Sequence, residues 1–344
     1  MTSTDAPGGL ARVGPGTVPP AVAQALSAGA VAAAVPAGVF DLAGPGAVAC
    51  MQGLLTNDLE APGDGAFIYG ALLTPKGMIV VDGWAARRGD TVRFTVPAAG
   101  RARAAEIFQR SIPPRLARVA DRSDELRVLR LAGPSALALA EAARLAVPAA
   151  PGRSEATDAV EVSRATEAAP FALQWAGAPP DVEAIGRRLV SAGATAGDAA
   201  ALELARILDG WPSLGFEVDD RTLPQEVRYD EIGGVSYTKG CYTGQETVSR
   251  LHFRGHANRA LRGLRLAAEP PPEWRAGPPV RMGDREVGRL TSVAFLPEGP
   301  AGAGVWVGLA VLRRDVPDGA AVRVGLVDAS VTPLPLPRPR YGPA

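Results

Sequence analysis

LPQEVRYDEIGGVSYTKGCYTGQETVSRLHFRGHANRAL, residues 223–261, is the stretch on which the reading of this chain turns. The rest of the sequence is mostly Ala, Val and Leu, but here Gly, Lys, Arg and Tyr crowd around one cysteine, Cys241. Gly233, Gly234, Gly240 and Gly244 permit tight backbone paths, so Cys241 is expected on a constrained turn rather than inside a regular element. Lys239 precedes the sulfur by two residues, and Arg250 and Arg254 follow it. Cations brought close to a thiol lower its pKa and raise the thiolate fraction, which makes it nucleophilic or metal-binding. The bland alternative for a free cysteine is burial as a small hydrophobe. The polar, Gly-rich flanks favour exposure and chemistry for Cys241, whereas Cys50, in VACMQGLL on an apolar helical face, fits burial.

Downstream of this stretch the pattern predicts short strands at 261–267, 286–295, 304–312 and 321–328 with Gly and Pro at the turns, the pattern of a small β-barrel. The PLPLPRPR run at 333–340 reads as an extended surface segment. Upstream, residues 31–42 read as strand, and GPGA at 44–47 launches a helix towards MQGLLTND at 51–58. From Ala66, three apolar runs separated by TPKG and RRGD form an antiparallel meander, and 100–119 switches to helical spacing until Pro113 and Pro114. A second block runs strand 126–132, helix 134–146, strands 158–164 and 171–175, and helix 181–192, which is a split βαβ order. The helix DAAALELARILDG ends at a Gly followed by Trp-Pro. The domain expectation is a disordered tail over 1–27, an α+β region over 28–260 with subdomains of about 28–120 and 121–260, and a barrel with its tail over 261–344.

Bulk numbers narrow the classes. The 344 residues suit two or three packed units, and 47% hydrophobic with 21% charged residues is ordinary for a globular protein. Lys plus Arg and Asp plus Glu stand at 36 each, so overall charge points to no polyanion, and no direct nucleic-acid partner is expected. Two distant cysteines write no disulfide framework and no CxxC metal site, which fits a reducing cytoplasm. The run from Ala21 to Phe40 is rich in Ala and Gly and broken by Gln24, Ser27 and Pro36, so no membrane span is expected. His252 and His256 are spaced H-x3-H, but without paired cysteines and among arginines they read better as surface or hydrogen-bonded imidazoles than as zinc ligands. No metal site is expected, and two thiols are too few to hold an iron–sulfur cluster, which usually takes four.

KGCYTGQE at 239–246 followed by RLHFRGHANRAL resembles the signature of the YgfZ/GcvT-like folate-binding family, and GPGAVACMQGLLTNDL and YGALLTPKG resemble its N-terminal pattern. The resemblance covers roughly residues 28–330. It implies an α+β GcvT-like folate-binding fold of two ferredoxin-like, split βαβ units with a small C-terminal β-barrel. It also implies a tetrahydrofolate, or a one-carbon derivative of it, as cofactor, with iron–sulfur client or assembly proteins as partners and support of tRNA modification as one outcome. Carried over residue by residue, Cys241 matches the family's functional cysteine, with Lys239, Gly240, Gly244, Gln245 and Glu246 completing the motif. For folate, Glu217 in SLGFEVD resembles the pterin-binding Glu of the related glycine-cleavage T-protein; Asn57 and Tyr69 match pocket positions, and Arg250 is a candidate for the tail carboxylates. The competing roles are a helix cap for Asn57, core packing for Tyr69 and a pairing of Arg250 with Glu246. Where the T-protein carries adjacent aspartates, the first of them catalytic, this chain has GMIVVDGW, which puts Val81 in the first place and Asp82 beside it. A valine holds no proton, which weighs against aminomethyl transfer, the alternative activity, and towards a non-enzymatic accessory role.

Overall fold

The computed structural model describes residues 9–157, 159–297 and 303–338. Three sheets organise them. The first is the expected meander: Phe67–Leu73, Ile79–Arg88 and Thr91–Pro97 pair in order, and Ala37–Ala43 and Arg118–Asp121 extend the sheet. Helix Arg101–Ser111 covers it with Ala104 and Phe108, and Phe108 meets Phe40 and Phe94 edge-on. The second sheet contains Val31–Val35, Arg127–Ala132, Leu173–Gly177 and Val160–Arg164 as its central four strands. Helices Ala136–Ala142 and Pro179–Ser191 pack on it through Ala136, Ala140, Val182, Ile185 and Leu189.

The apolar run 31–42 is two strands, not one, and they enter different sheets at Pro36. Proline has no N–H to offer a ladder and fixes its own φ, so it suits a point where one chain leaves a sheet and joins another. The expected subdomain boundary near 120 is corrected accordingly: Val31–Val35 pairs with Arg127–Ala132 in the second sheet.

Six antiparallel strands close the C-terminal barrel: Arg259–Leu266, Pro279–Met282, Arg285–Pro297, Gly304–Arg313, Ala321–Val324 and Val327–Thr332. Two of them were not separated in the sequence: the four-residue 279–282 strand follows a Pro-rich segment, and 321–328 is split by Gly325 at φ 57° into a hairpin. The expectation of a disordered tail over 1–27 is corrected from residue 9 onward. Ala11–Val13 pairs parallel to Ser292–Ala294 of the barrel, and helix Pro20–Ala28 buries Val22, Ala23 and Leu26; residues 1–8 lie outside the described residues. The Pro-rich tail is docked as well. Leu336 is buried, its N–H donates to Leu208 O at 2.7 Å, and Arg338 donates to Leu26 O and to Asp209. No helix among the described residues is long and apolar enough to cross a membrane.

Candidate functional site

Two places in the fold carry chemistry, and a short saddle joins them. The first is the KGCYTGQE turn. Cys241 is exposed, and the ten-residue helix Gln245–Arg254 starts just after it. Gly244 sits at φ 82°, and a Cβ there would come within 2.6 Å of Thr74 O and 3.0 Å of Gly77 Cα, so glycine is required for the turn to lie against the 74–77 loop. Gly240 has open space around it and an ordinary φ, so it carries no such constraint. Gln245 reaches back towards Gly240 O at 3.5 Å, and Glu246 and Arg250 are exposed.

Lys239 does something other than what its spacing suggested. It is buried, and its ammonium donates to three backbone carbonyls, Gln52 O at 2.6 Å, Leu55 O at 2.7 Å and Asn57 O at 2.9 Å. Burial lowers its pKa to about 8, with Asp58 and Glu60 pushing the other way. All three ammonium protons are used, so the cation clamps the turn instead of tuning the sulfur. No hydrogen bond or ion pair joins Cys241 to Lys239, Arg250 or Arg254 among the described residues. A signal for this clamp exists in the sequence: of the 36 Lys and Arg residues only Lys76 and Lys239 are lysine. A compact ammonium suits a carbonyl cage, which a planar guanidinium does not.

The saddle is 53–57. Thr243 N–H donates to Gly53 O and Ser236 N–H to Thr56 O, both at 3.0 Å, and Thr56 Oγ1 donates to Gly234 O at 2.6 Å. Asn57 Nδ2 donates to Gly233 O at 2.7 Å and to Tyr69 O at 2.8 Å, linking the cysteine loop to the 67–73 strand. Asn57 therefore positions backbone.

The second place is a pocket of about 230 Å³ at the split between the two sheets, where Val35, Pro36 and Ala37 form part of its wall. Directly paired residues share a face of an antiparallel sheet. Tyr69 opposes Trp84, Ala71 opposes Asp82 and Trp84 opposes Thr95, so Tyr69, Asp82, Trp84 and Thr95 share the pocket face. Val81 points to the other side, where its side chain fills the space beside Gly100. The protonatable group that this strand brings to the pocket is thus Asp82, which the comparison at Val81 had left aside.

Phe171 and Trp211 close the aromatic wall: Trp84 packs edge-on to Phe171 at 5.2 Å and parallel to Trp211 at 5.9 Å, and Tyr69 lies 4.6 Å from Trp211. Helix Ala199–Asp209 delivers Trp211. Asp198 caps its start by accepting from Ala200 and Ala201 N–H, and Gly210 ends it at φ 63°. Arg206 then holds Trp211 O at 2.6 Å.

Asp82 is 3% exposed. Its Oδ2 accepts from Tyr69 Oη at 2.5 Å, Tyr69 Oη meets Tyr229 Oη at 3.0 Å, and Oδ1 is buried without a partner. Burial raises its pKa, opposed by the Tyr69 and Tyr229 hydroxyls and by Arg130. Arg130 lies over the Phe171 ring at 4.1 Å and donates Nε to Gln174 at 3.0 Å; burial lowers its pKa to about 10.

Glu217 is placed below the pocket, not in its wall. Its carboxylate, fully buried, accepts from Arg206 at 2.8 Å, Ser213 N–H at 3.0 Å and Ser292 Oγ at 2.5 Å. It ties the barrel to the pocket floor through these three bonds and does not itself line the pocket. Arg250 lies on the exposed helix after the turn and lines none of the pocket. Sequence reasoning therefore brought Tyr69 to the pocket and missed Asp82 as its partner, along with Trp84, Arg130, Phe171 and Trp211. Among the described residues no group of three His, Cys, Asp or Glu side chains is arranged to hold a metal ion.

Comparison with known proteins agrees with this architecture. Residues 26–150 match the family described as the GCVT N-terminal domain. The tRNA-modifying protein YgfZ of Edwardsiella ictaluri is 36% identical over 151 residues, 42% of this chain and 44% of the relative. An aminomethyltransferase of Rubrobacter xylanophilus is 28% identical over 326 residues, 88% of this chain and 83% of the relative. The solved glycine cleavage system aminomethyltransferase T of Bartonella henselae superposes with a TM-score of 0.73 at 21% identity, covering 94% of this chain and 90% of that one. The match to the YgfZ relatives spans less than half of their length, 44% and 38% in two of them.

Proposed function

We propose that this chain, which is similar to the YgfZ and aminomethyltransferase relatives and shares their GcvT-like fold, binds a reduced folate in the Tyr69–Trp84–Phe171–Trp211 pocket and assists iron–sulfur enzymes through Cys241. The observation that carries the reading is the pocket itself: four aromatic walls around a buried carboxyl oxygen that lacks a partner. Flat heteroaromatic rings gain from such walls, and a polar edge satisfies such an oxygen. A bound tetrahydrofolate supplies a nitrogen that carries one-carbon groups. The chain's own residues do the rest. Trp84 and Trp211 exclude water, Glu217 and Arg206 hold the floor, and the 53–57 saddle fastens the pocket strand to the turn that bears Cys241. With two cysteines the chain does not retain a cluster alone, so the sulfur serves transfer or protection of a client's cluster.

The test has two arms. Tetrahydrofolate titrated against the protein should quench the fluorescence of Trp84 and Trp211 saturably; no binding at millimolar ligand removes the reading. In the host, Cys241→Ser should lower the activity of iron–sulfur enzymes such as those of the radical-SAM class under oxidative stress, and undiminished activity removes the Cys241 arm.

A second reading, folate-dependent aminomethyl transfer, is favoured by one observation, a pocket-facing Asp82 with its Tyr69 and Tyr229 partners. Turnover of tetrahydrofolate with an aminomethylated lipoyl carrier protein, lost in Asp82→Ala, would establish it. Folate binding without turnover leaves the accessory role.

A further inference from the structure

The inference rests on the reading that the central pocket takes a flat heteroaromatic ligand, and it adds which edge of that ligand is read. Four charged side chains line the pocket: Asp82, Arg130, Glu203 and Arg206. Glu203 and Arg206 neutralise each other in a two-bond pair at 2.6 and 2.9 Å, and Arg206 also holds Glu217. They are committed to the protein. Asp82 and Arg130 are different. Asp82 spends Oδ2 on Tyr69 and keeps a buried, unpartnered Oδ1. Arg130 spends Nε on Gln174, and its terminal nitrogens donate to no acceptor among the described residues. Each senses the other's charge, yet no ion pair joins them among the described residues.

An unpaired carboxyl oxygen and an unpaired guanidinium fork in one aromatic pocket form a complementary acceptor and donor set. Asp82 Oδ1 is buried without a partner, which is costly, and the half-buried Arg130 has no protein acceptor for its terminal nitrogens among the described residues, so a ligand that pairs both is selected over one that pairs neither. We infer that Asp82 and Arg130 are specificity-determining residues that read a ring edge on which an N–H donor neighbours a carbonyl acceptor. Asp82 Oδ1 accepts from the ring N–H, and Arg130 donates to the carbonyl oxygen. The 2-amino-4-oxopterin ring has this edge, and guanine shares it. The p-aminobenzoylglutamate tail of a folate takes no part in this contact.

The full-length protein is titrated with tetrahydrofolate, with tetrahydropterin that lacks the tail, and with guanosine, followed by tryptophan fluorescence and calorimetry. Asp82→Asn and Arg130→Met should each weaken tetrahydrofolate and the tail-less pterin by the same factor, about tenfold or more. Binding to the wild type should weaken as pH falls through the titration of Asp82, while Asp82→Asn shows a flat profile; Tyr69, Tyr229 and Arg130 are the other groups that face this carboxyl. A pterin methylated at N3 offers no N–H, and it should bind the wild-type protein at least tenfold more weakly than its parent. That arm needs no variant to fold. Equal affinity for parent and N3-methyl pterin, or variants that bind within twofold of wild type, overturns the inference while the folate reading stands. Guanosine bound in an Asp82-dependent way, with no tetrahydrofolate bound, keeps the edge assignment and removes the folate reading. No binding of any of the three ligands overturns both.

Discussion

In the Cys241 turn the chemical atom is exposed and the cation is buried: Cys241 meets solvent while Lys239 is sealed against three carbonyls. In the central pocket Asp82 is buried and Arg130 half-buried, and both line a cavity walled by aromatic rings. The turn is one contiguous octapeptide held by its own glycine and lysine. The pocket is assembled from the 35–37 segment, strands 67–73, 79–88, 91–97 and 127–132, a loop at 171, and helix 199–209 with its end at 211, with a few residues from each. A contiguous motif preserves the shape of a surface turn; an enclosed site is preserved by packing that many segments share.

That contrast can be broken at either end. The largest effect is expected from Trp211→Ala, which removes a buried ring from the pocket wall and should cost about 3–5 kcal/mol of stability. Thermal unfolding measures it, and the alkylation rate of Cys241 in the remaining folded protein should stay as in wild type. Lys239→Met comes next. It leaves the carbonyls of Gln52, Leu55 and Asn57 unpaired and should cost about 2–3 kcal/mol. Alkylation of Cys241 should change, while ligand binding in the pocket keeps its affinity; a loss of pocket affinity equal to that of a pocket variant would dissolve the distinction between the two regions.

Asp82→Asn gives a smaller, pH-dependent effect. The folded pKa of Asp82 lies above its unfolded value, so the stability it contributes is present below the ordinary carboxylate range and lost as pH rises through the folded value. The amide escapes that loss. The melting temperature of the variant should gain on wild type as pH rises from about 4, by no more than a few degrees in all; a gain that shrinks with rising pH contradicts the burial argument. Cys241→Ser should be nearly silent in stability, within about 0.5 kcal/mol, because an exposed side chain is changed. A larger loss would mean that the sulfur packs, and the turn would lose its claim to chemistry.

The same contrast governs what could be read from the sequence. The meander, the split βαβ order and the barrel were legible because apolar periodicity and Gly/Pro punctuation are local signals. The turn was legible because its residues are adjacent. What failed was long-range. Nothing local says that 31–35 and 37–43 part company at Pro36, that residues 11–13 add to the barrel, or that Leu336 and Arg338 fold back on helix 199–209. Asp82 was in view, and strand parity decides its role. The pairing of Ala71 with Asp82 and of Tyr69 with Trp84 puts the aspartate beside Tyr69 and turns Val81 away. Glu217 matched a pocket position by its flanks, yet its oxygens accept from Arg206 and from Ser292, 75 residues away in the barrel.

The lysine cage also makes the molecule report on itself. With Lys239 sealed, the folded chain offers amine reagents a single lysine side chain, Lys76, exposed on the 74–77 loop that packs against the cysteine turn. A lysine-directed protease should then cleave the native protein after residue 76 alone, and scission after residue 239 would time each lifting of the turn without any label being introduced.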